Sequence, residues 1–442
     1  MEGKKVLKPS FNEAFWFWLK LGFISFGGPA GQIAIMHEFL VDKKNWISDS
    51  RFFHALNYTM ILPGPEAQQL ATYTGWLLHG TRGGLVAGIF FVLPSMFILL
   101  ILTTLYAKFG NIPWVYALFS GLKPAVMAIV ILALIKIGKK SLYTFFHFFI
   151  AVVAFVCIFF LNIPFPLIVF ASLLIAFLTQ KTIPNLFRQT EAAKKQLAKD
   201  EENYFINNEY KIPDVGFNAK RLGRQIFVAV VLFTIPLILF FLKNDEFTFW
   251  SRLSLFFTKA AFVTFGGAYA VLPYVAQVSV EQLHWLTDLQ MLDGLALGET
   301  TPGPLVMVLV FVGFMAGYNH YNGSILYGSL GLITTTFYTF LPCFLFIFAG
   351  APIIERTREN VKIKQALSIV TAAVVGVVLN LTIYLGRAVI FPRELALMEA
   401  DYMTLIWIVL SFIAMYRLKI NMIPWIGVSA IFGLLTYFAT NN

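Results

Sequence analysis

From residue 11 to 179, and again from 225 to 440, apolar runs of about 20 residues follow one another with few charges inside them. A run of that length, wound as helix, crosses roughly 30 Å of hydrocarbon, and a soluble fold has no use for so many in succession. The 442 residues are 58% hydrophobic and 13% charged, with a mean hydropathy of +0.75, which is more apolar surface than a soluble fold of this size buries. The expected fold is an all-α polytopic membrane protein.

The net charge of +10 does not point to nucleic acid, because the basic residues gather at segment ends and in one linker, with no patch interleaved with aromatics. Lys4, Lys5 and Lys8 precede an apolar stretch that Lys20 interrupts, with no small-x-small cleavage site after it, so the stretch is expected to be a retained first helix. Cys157 and Cys343 both lie in apolar segments and give no disulfide framework. His37-Glu38 begins like a zinc-protease motif, but Val41 stands where the second His belongs, and the other histidines have no ligand spacing. No metal and no other cofactor is expected, and nothing marks the chain as an enzyme.

Phe26-Gly27-Gly28 recurs as Phe265-Gly266-Gly267, and Pro63-Gly64-Pro65 as Pro302-Gly303-Pro304, both at an offset of 239 residues. Laid on each other without a gap, residues 20–65 and 259–304 share twelve identities in 46 pairs, against about three by chance. Lys20 with Lys259, Trp46 with Trp285 and Asp49 with Asp288 are among them, and apolar bias does not generate such matches. The chain is a duplicated module: a first repeat at 1–179, a linker at 180–224, an extra helix within 225–252 and a second repeat at 253–442.

The linker is the one long polar stretch, basic on balance, with a Glu191 to Glu202 portion that can form a surface helix. The first half divides into six apolar segments (11–41, 51–80, 83–106, 114–137, 141–161 and 163–179). The unmatched segment 226–242 follows, and then six more (253–279, 288–319, 323–350, 364–390, 402–416 and 421–438). One extra crossing turns the second repeat over, giving two inverted-topology repeats and about thirteen crossings. With the N-terminus cytoplasmic, the positive-inside rule is met by Lys4, Lys5, Arg82, Lys136 to Lys140, the linker, Arg356 to Lys364, Arg417 and Lys419. Lys43, Lys44, Arg51, Arg387 and Arg393 fit this layout poorly.

Segments 11–41 and 51–80 carry their motifs near the middle, where glycines and prolines break helix. Pro65 lacks an N–H and suits the first position of a new helix, with Gly64 as the corner before it. Freed backbone groups cost several kcal/mol in lipid, so such breaks line an enclosed or watery cavity. Half-helix N-termini at Pro65 and Pro304 would present N–H groups and positive dipole ends there, and an anion suits them. Kinks and close packing are the bland alternative for any one of these motifs.

Lys20 and Lys259 stand six residues before their glycine motifs, either supplying positive charge to a divalent oxyanion or snorkelling to an interface. Glu66 follows the first Pro-Gly-Pro and Glu299 precedes the second; each either carries a coupling proton or caps a helix start. Gln32, Gln68, Gln69, Thr72, Tyr73, Thr300 and Thr301 are neutral groups near the breaks, suited to orienting oxyanion oxygens or to interhelical packing.

Taken together, Phe26-Gly27-Gly28-Pro29-Ala30-Gly31-Gln32, Trp46-Ile47-Ser48, Leu62 through Tyr73, Gly75-Trp76, Phe265-Gly266-Gly267-Ala268-Tyr269, Glu299 through Leu305 and Phe311-Val312-Gly313-Phe314 resemble the chromate transporter family in its long, two-domain form. The resemblance covers both halves and misses only the linker. It implies a bacterial inner-membrane protein that exports chromate at the expense of the proton motive force and confers chromate resistance, with sulfate as a similar competitor. Val310, where the family often has Gln, and Glu38, where a basic residue is frequent, depart from the pattern. Residue by residue, the expected oxyanion site is Lys20, Phe26, Gly27, Gly28, Gln32, Pro63, Gly64, Pro65, Gln68 and Gln69 with Lys259, Phe265, Gly266, Gly267, Thr300, Thr301, Pro302, Gly303 and Pro304. Uptake of sulfate and an anion channel are the competing functions, and a homodimer is compatible with the sequence.

Overall fold

A computed structural model describes residues 8–26, 28–60, 62–110, 112–182, 203–207, 210, 216–242, 247–265, 267–354, 361–391 and 401–441. Gly27, Gly266 and the Glu191 to Glu202 portion of the linker lie outside the described residues. Helix is the only regular structure among the described residues, and six helices are long and apolar enough to cross a membrane. The expected all-α membrane class stands.

The first half contains α1 (Phe11–Ile24), α2 (Gly28–His37) continued by a π turn (Glu38–Lys43), α3 (Asp49–Thr59), α4 (Glu66–Phe109), α5 (Pro113–Ser141), α6 (Phe145–Phe159) and α7 (Phe165–Thr182). After α8 (Ala219–Leu242) comes α9 (Phe247–Val263), then α10 (Ala268–Ala276) with a π turn (Gln277–Gln282), and α11 (Asp288–Thr300). A short turn (Leu305–Met307) leads into α12 (Val308–His320), followed by α13 (Ile325–Ile354), α14 (Val361–Ile390), α15 (Tyr402–Tyr416) and α16 (Met422–Asn441). Both the break before α2 and α10 and the π turn after them recur at the 239-residue offset.

Segment 11–41 does not run straight. Lys44 Nζ is 2.8 Å from the Glu13 carboxylate, and the Phe17 ring lies 5.4 Å from Phe39 and 5.5 Å from Trp46. α1 and α2 are therefore the two arms of a hairpin whose tip is the Phe-Gly-Gly break. At 14 residues, α1 is about 21 Å long. Ser10 caps it by accepting from the Glu13 N–H.

α3 and the first arm of α4 form a second hairpin, with Pro-Gly-Pro at its tip and Tyr58 5.5 Å from Tyr73 across it. His79, at the far end of that arm, is 2.9 Å from the Pro9 carbonyl, so this hairpin ends beside the start of α1. There α4 turns back at His79 and Gly80, whose φ of +62° is open to glycine, and its second arm packs along the first. A Cβ on Gly75 would stand 2.6 Å from both the Ala87 methyl and the Gly83 carbonyl, a close approach that only small residues allow.

The second half repeats the pattern. Trp285 sits 6.1 Å from Phe249 and accepts the Asn319 amide at 2.7 Å, while His320 stacks on Phe249 at 4.2 Å. Both of its hairpins thus begin and end beside the start of α9. α8, 24 residues or about 36 Å long, separates these bases from those of the first half. The linker lies against the first-half bases through Ser48 N–H to Ile206 O (2.8 Å) and through Arg51 to the Asn207 and Tyr210 carbonyls.

The remaining helices interlock across the halves: α5 packs against α15 and α16, α14 against α6 and α7, and α5 against α14. Gly121 and Gly433 meet backbone to backbone, and Gly376 meets the Ala151 carbonyl, which is how membrane helices gain van der Waals contact without a hydrophobic drive between them.

Candidate functional site

The four hairpin tips meet, and they are cross-bonded between halves. The Gly64 N–H donates to the Thr264 carbonyl at 2.7 Å, and the Gly303 N–H donates to the Ser25 carbonyl at 2.8 Å. Gly64 and Gly303 correspond at the repeat offset, as do Ser25 and Thr264, so each Pro-Gly-Pro tip is bonded to the other half's Phe-Gly-Gly tip. The hydroxyls of Ser25 and Thr264 donate back to Leu21 and Ala260, both at 2.6 Å, which ends α1 and α9 in the same way.

Gly64 and Gly303 require glycine. Their φ angles are +120° and +96°. A Cβ on Gly64 would lie 2.7 Å from Gln69 Nε2 and 2.8 Å from Cys343 Sγ; one on Gly303 would lie 2.7 Å from Ser95 Cβ. These neighbours are also matched, since Leu93-Pro94-Ser95 and Leu341-Pro342-Cys343 are one phrase repeated. Gly28 and Gly267 have φ of +68° and +99° with open space where a Cβ would be, so conformation alone selects glycine there.

Around this junction the halves differ. Gln32, where the second half has Val271, donates its amide to the Ser25 carbonyl at 3.2 Å and also to the Gly303 carbonyl. Gln69 donates to Pro63 O at 2.7 Å, and Gln68 to Thr72 Oγ1 at 3.1 Å. All three amides are buried, and their oxygens have no donor among the described residues. Glu299 is buried and accepts a hydrogen bond from Tyr269, whereas Glu66 is half-buried at the first position of α4. Thr300 and Thr301 turn their hydroxyls to the Leu297 and Gly298 carbonyls, ending α11.

Of the expected site, the structure brings together Phe26, Gly28, Gln32, Pro63, Gly64, Pro65, Gln68, Gln69, Phe265, Gly267, Thr300, Thr301, Pro302, Gly303 and Pro304, with Glu66 and Glu299. Lys20 and Lys259 are not brought in. Both are exposed, Lys20 on a stripe with Trp16 and Phe23 and Lys259 on one with Leu255 and Phe262, and Lys20 Nζ lies 5.6 Å from the Phe39 ring.

Ser25, Thr264, Ser95 and Cys343 border the junction but were not singled out in the sequence, and Tyr269, which donates to Glu299, was marked there only as the last residue of the second glycine motif. Ser25 and Thr264 correspond at the 239-residue offset, and Ser95 and Cys343 at an offset of 248 in the repeated Leu-Pro phrase, so a repeat comparison extended with a gap finds all four. A further group without sequence signal is the buried Lys123–Asp293 pair, 3.6 Å apart between α5 and α11.

Chemically, α2, α4, α10 and the turn leading to α12 all start at the junction, so the positive ends of their peptide dipoles and their first unpaired N–H groups face it. Such a place favours an anion. Among the described residues no cluster of His, Cys, Asp and Glu could hold a metal.

The chromate transporter family model matches residues 12–177 and 251–434, which leaves out the linker and α8. A chromate transport protein of Pseudomonas aeruginosa is 29% identical over 434 residues, covering 97% of this chain and 93% of its own length. A chromate transport protein of Cupriavidus metallidurans is 28% identical over 382 residues (86% and 84%), and an uncharacterized transporter of Methanocaldococcus jannaschii is 27% identical over 427 (97% and 94%). No solved structure matches the chain. With both halves matched and the glycine motifs at the centre of the bundle, the chain belongs to the chromate transporter family.

Proposed function

We propose that this protein is a secondary active carrier that exports chromate across a bacterial inner membrane, driven by the proton motive force, and that it confers chromate resistance. The observation that carries the reading is the reciprocal tip junction, where half-helix N-termini from both halves converge on one polar, enclosed place. Chromate is a tetrahedral dianion at neutral pH, and several N–H donors with amide side chains make a cage for it. Sulfate, of the same shape and charge, is the natural competitor. Lys20 and Lys259 have no part in this cage. Glu66 and Glu299, one at each Pro-Gly-Pro, are assigned to proton coupling.

In the bilayer the four hairpins enter and return without crossing. The crossings are the second arm of α4 with α5, α6 and α7, then α8, then α13 to α16, in place of about thirteen. α8 still turns the second half over, so the two halves are inverted repeats and alternating access is a rocking of one against the other. Charge supports this topology. Lys43, Lys44 and Arg51, misfits in the thirteen-crossing layout, now lie on the side of the N-terminus and linker, and Gln282, Leu283 and Gln290 occupy the corresponding positions on the opposite side.

The test is flux of labelled chromate and sulfate in proteoliposomes under imposed pH and voltage gradients. Chromate flux that follows the pH gradient supports the reading. Flux indifferent to it means a channel, and sulfate carried in preference to chromate means a different substrate.

A further inference from the structure

Lys123 lies ten residues into α5, about 15 Å from its start and so near the middle of the hydrocarbon. It is buried, as is Asp293 of α11. An ion pair held at such depth for stability alone closes to a direct hydrogen bond of about 2.7–2.9 Å, because desolvating both charges has to be offset by good geometry. Here Nζ and Oδ1 are 3.6 Å apart, and Oδ1 has no hydrogen bond. Asp293 Oδ2 instead takes the Tyr106 hydroxyl at 2.8 Å, and the only other contact of the Lys123 ammonium among the described residues is the face of Tyr116, 5.2 Å to its centroid. The ammonium thus keeps hydrogen-bond donors that this pair does not use.

Position gives the pair a role. Asp293 and Glu299 are six residues apart on α11, about 9 Å along the helix that ends at the tip junction. At the other end of α11, the Asp288 carboxylate accepts from Tyr384, which lines a cavity of about 320 Å³ with Asn162, Gln277, Glu281, Asn380 and Arg387. α11 is therefore flanked by polar groups along its length: a cavity with an arginine at its start, the lysine midway, and the N–H groups of the tips at its end.

Resting on the oxyanion-carrier reading, we infer that Lys123 is a second anion-binding group: a tetrahedral dianion passing between the tip junction and the Arg387 cavity binds its ammonium, which Asp293 holds when no anion is there. The pair works as an exchange. The carboxylate keeps the lysine charged and in place in a medium where a lone ammonium is costly, and the loose 3.6 Å contact leaves it open to displacement by a doubly charged competitor.

The experiment uses the full-length protein and two readouts, equilibrium binding of labelled chromate in detergent and chromate flux in proteoliposomes, with monodispersity as the check on folding. Lys123→Met is expected to weaken chromate binding at least tenfold and Lys123→Arg to retain most of it, while Asp293→Asn, which frees the ammonium, binds chromate several-fold tighter. Because Lys123→Met leaves a buried carboxylate alone, Lys123→Met with Asp293→Asn is the deciding variant. Binding and flux lost in this folded double variant support the assignment; wild-type binding and flux in it make the pair structural and overturn the inference. A wild type that binds chromate but does not move it overturns the carrier reading instead, and the binding data still decide the role of Lys123.

Discussion

At the scale of single residues, the most constrained atoms are the backbone groups of Gly64 and Gly303. Each combines a φ that disfavours any side chain with a space already filled, by Ser95 of the opposite half at Gly303 and by Gln69 together with Cys343 of the opposite half at Gly64. Gly64→Ala and Gly303→Ala are expected to cost about 1–3 kcal/mol in stability and to abolish chromate flux, measured in proteoliposomes alongside thermal unfolding. Gln32→Leu takes the amide from two buried carbonyls, one in each half; Ser25 O keeps the Gly303 N–H, but Gly303 O loses its side-chain donor, and since an orphaned buried group costs about 1–3 kcal/mol, flux is expected to fall at least about tenfold. Lys20→Gln is expected to change flux less than about threefold, because the side chain is exposed beside Trp16 and Phe23. Sharp loss in Lys20→Gln would return the lysine to the site. The glycine words were legible because a positive φ leaves its mark as residue type. Whether a lysine faces the site or the surroundings is decided by helix rotation within the bundle, and spacing along the chain does not record that.

At the scale of elements, the sequence marks where helices break but not what the chain does next. A Phe-Gly-Gly break serves equally in a straight crossing with an unwound centre and in a hairpin that returns. The choice here is made by tertiary contacts, Phe17 on Phe39 and Trp46 in one half and Trp285 on Phe249 in the other. The packing elements were legible only as apolar runs, and the glycines that set their spacing, Gly75, Gly121 and Gly433, look like any membrane-helix glycine. Gly433→Leu would push α16 away from α5 at the backbone contact with Gly121. It is expected to destabilise by about 1–3 kcal/mol, seen as a lower midpoint in a thermal assay on the detergent-solubilised protein, with chromate affinity of the surviving fraction unchanged.

At the scale of the whole molecule, the proposed layout has the duplication seen at offset 239 and the unmatched helix α8 bring two sets of hairpins tip to tip instead of side by side. The membrane class and the repeat were open to inspection in the sequence, because composition and periodicity carry them. The crossing count was not, because a hairpin and a pair of crossings have the same apolar pattern and the same parity. Lys43, Lys44 and Arg51 were the visible trace of that ambiguity, whereas Arg387 and Arg393 fit neither layout. Sided labelling of single cysteines, placed in a chain whose Cys157 and Cys343 are replaced, separates the two layouts. Lys220→Cys marks the linker side, Lys44→Cys tests the base of the first-half hairpins, and Leu283→Cys the base of the second. With inverted halves built on returning hairpins, a membrane-impermeant maleimide labels positions 44 and 220 from the same side and position 283 from the other. Label reaching 283 and 220 from one side and 44 from the opposite one would contradict the hairpins, and with them the junction proposed to hold chromate.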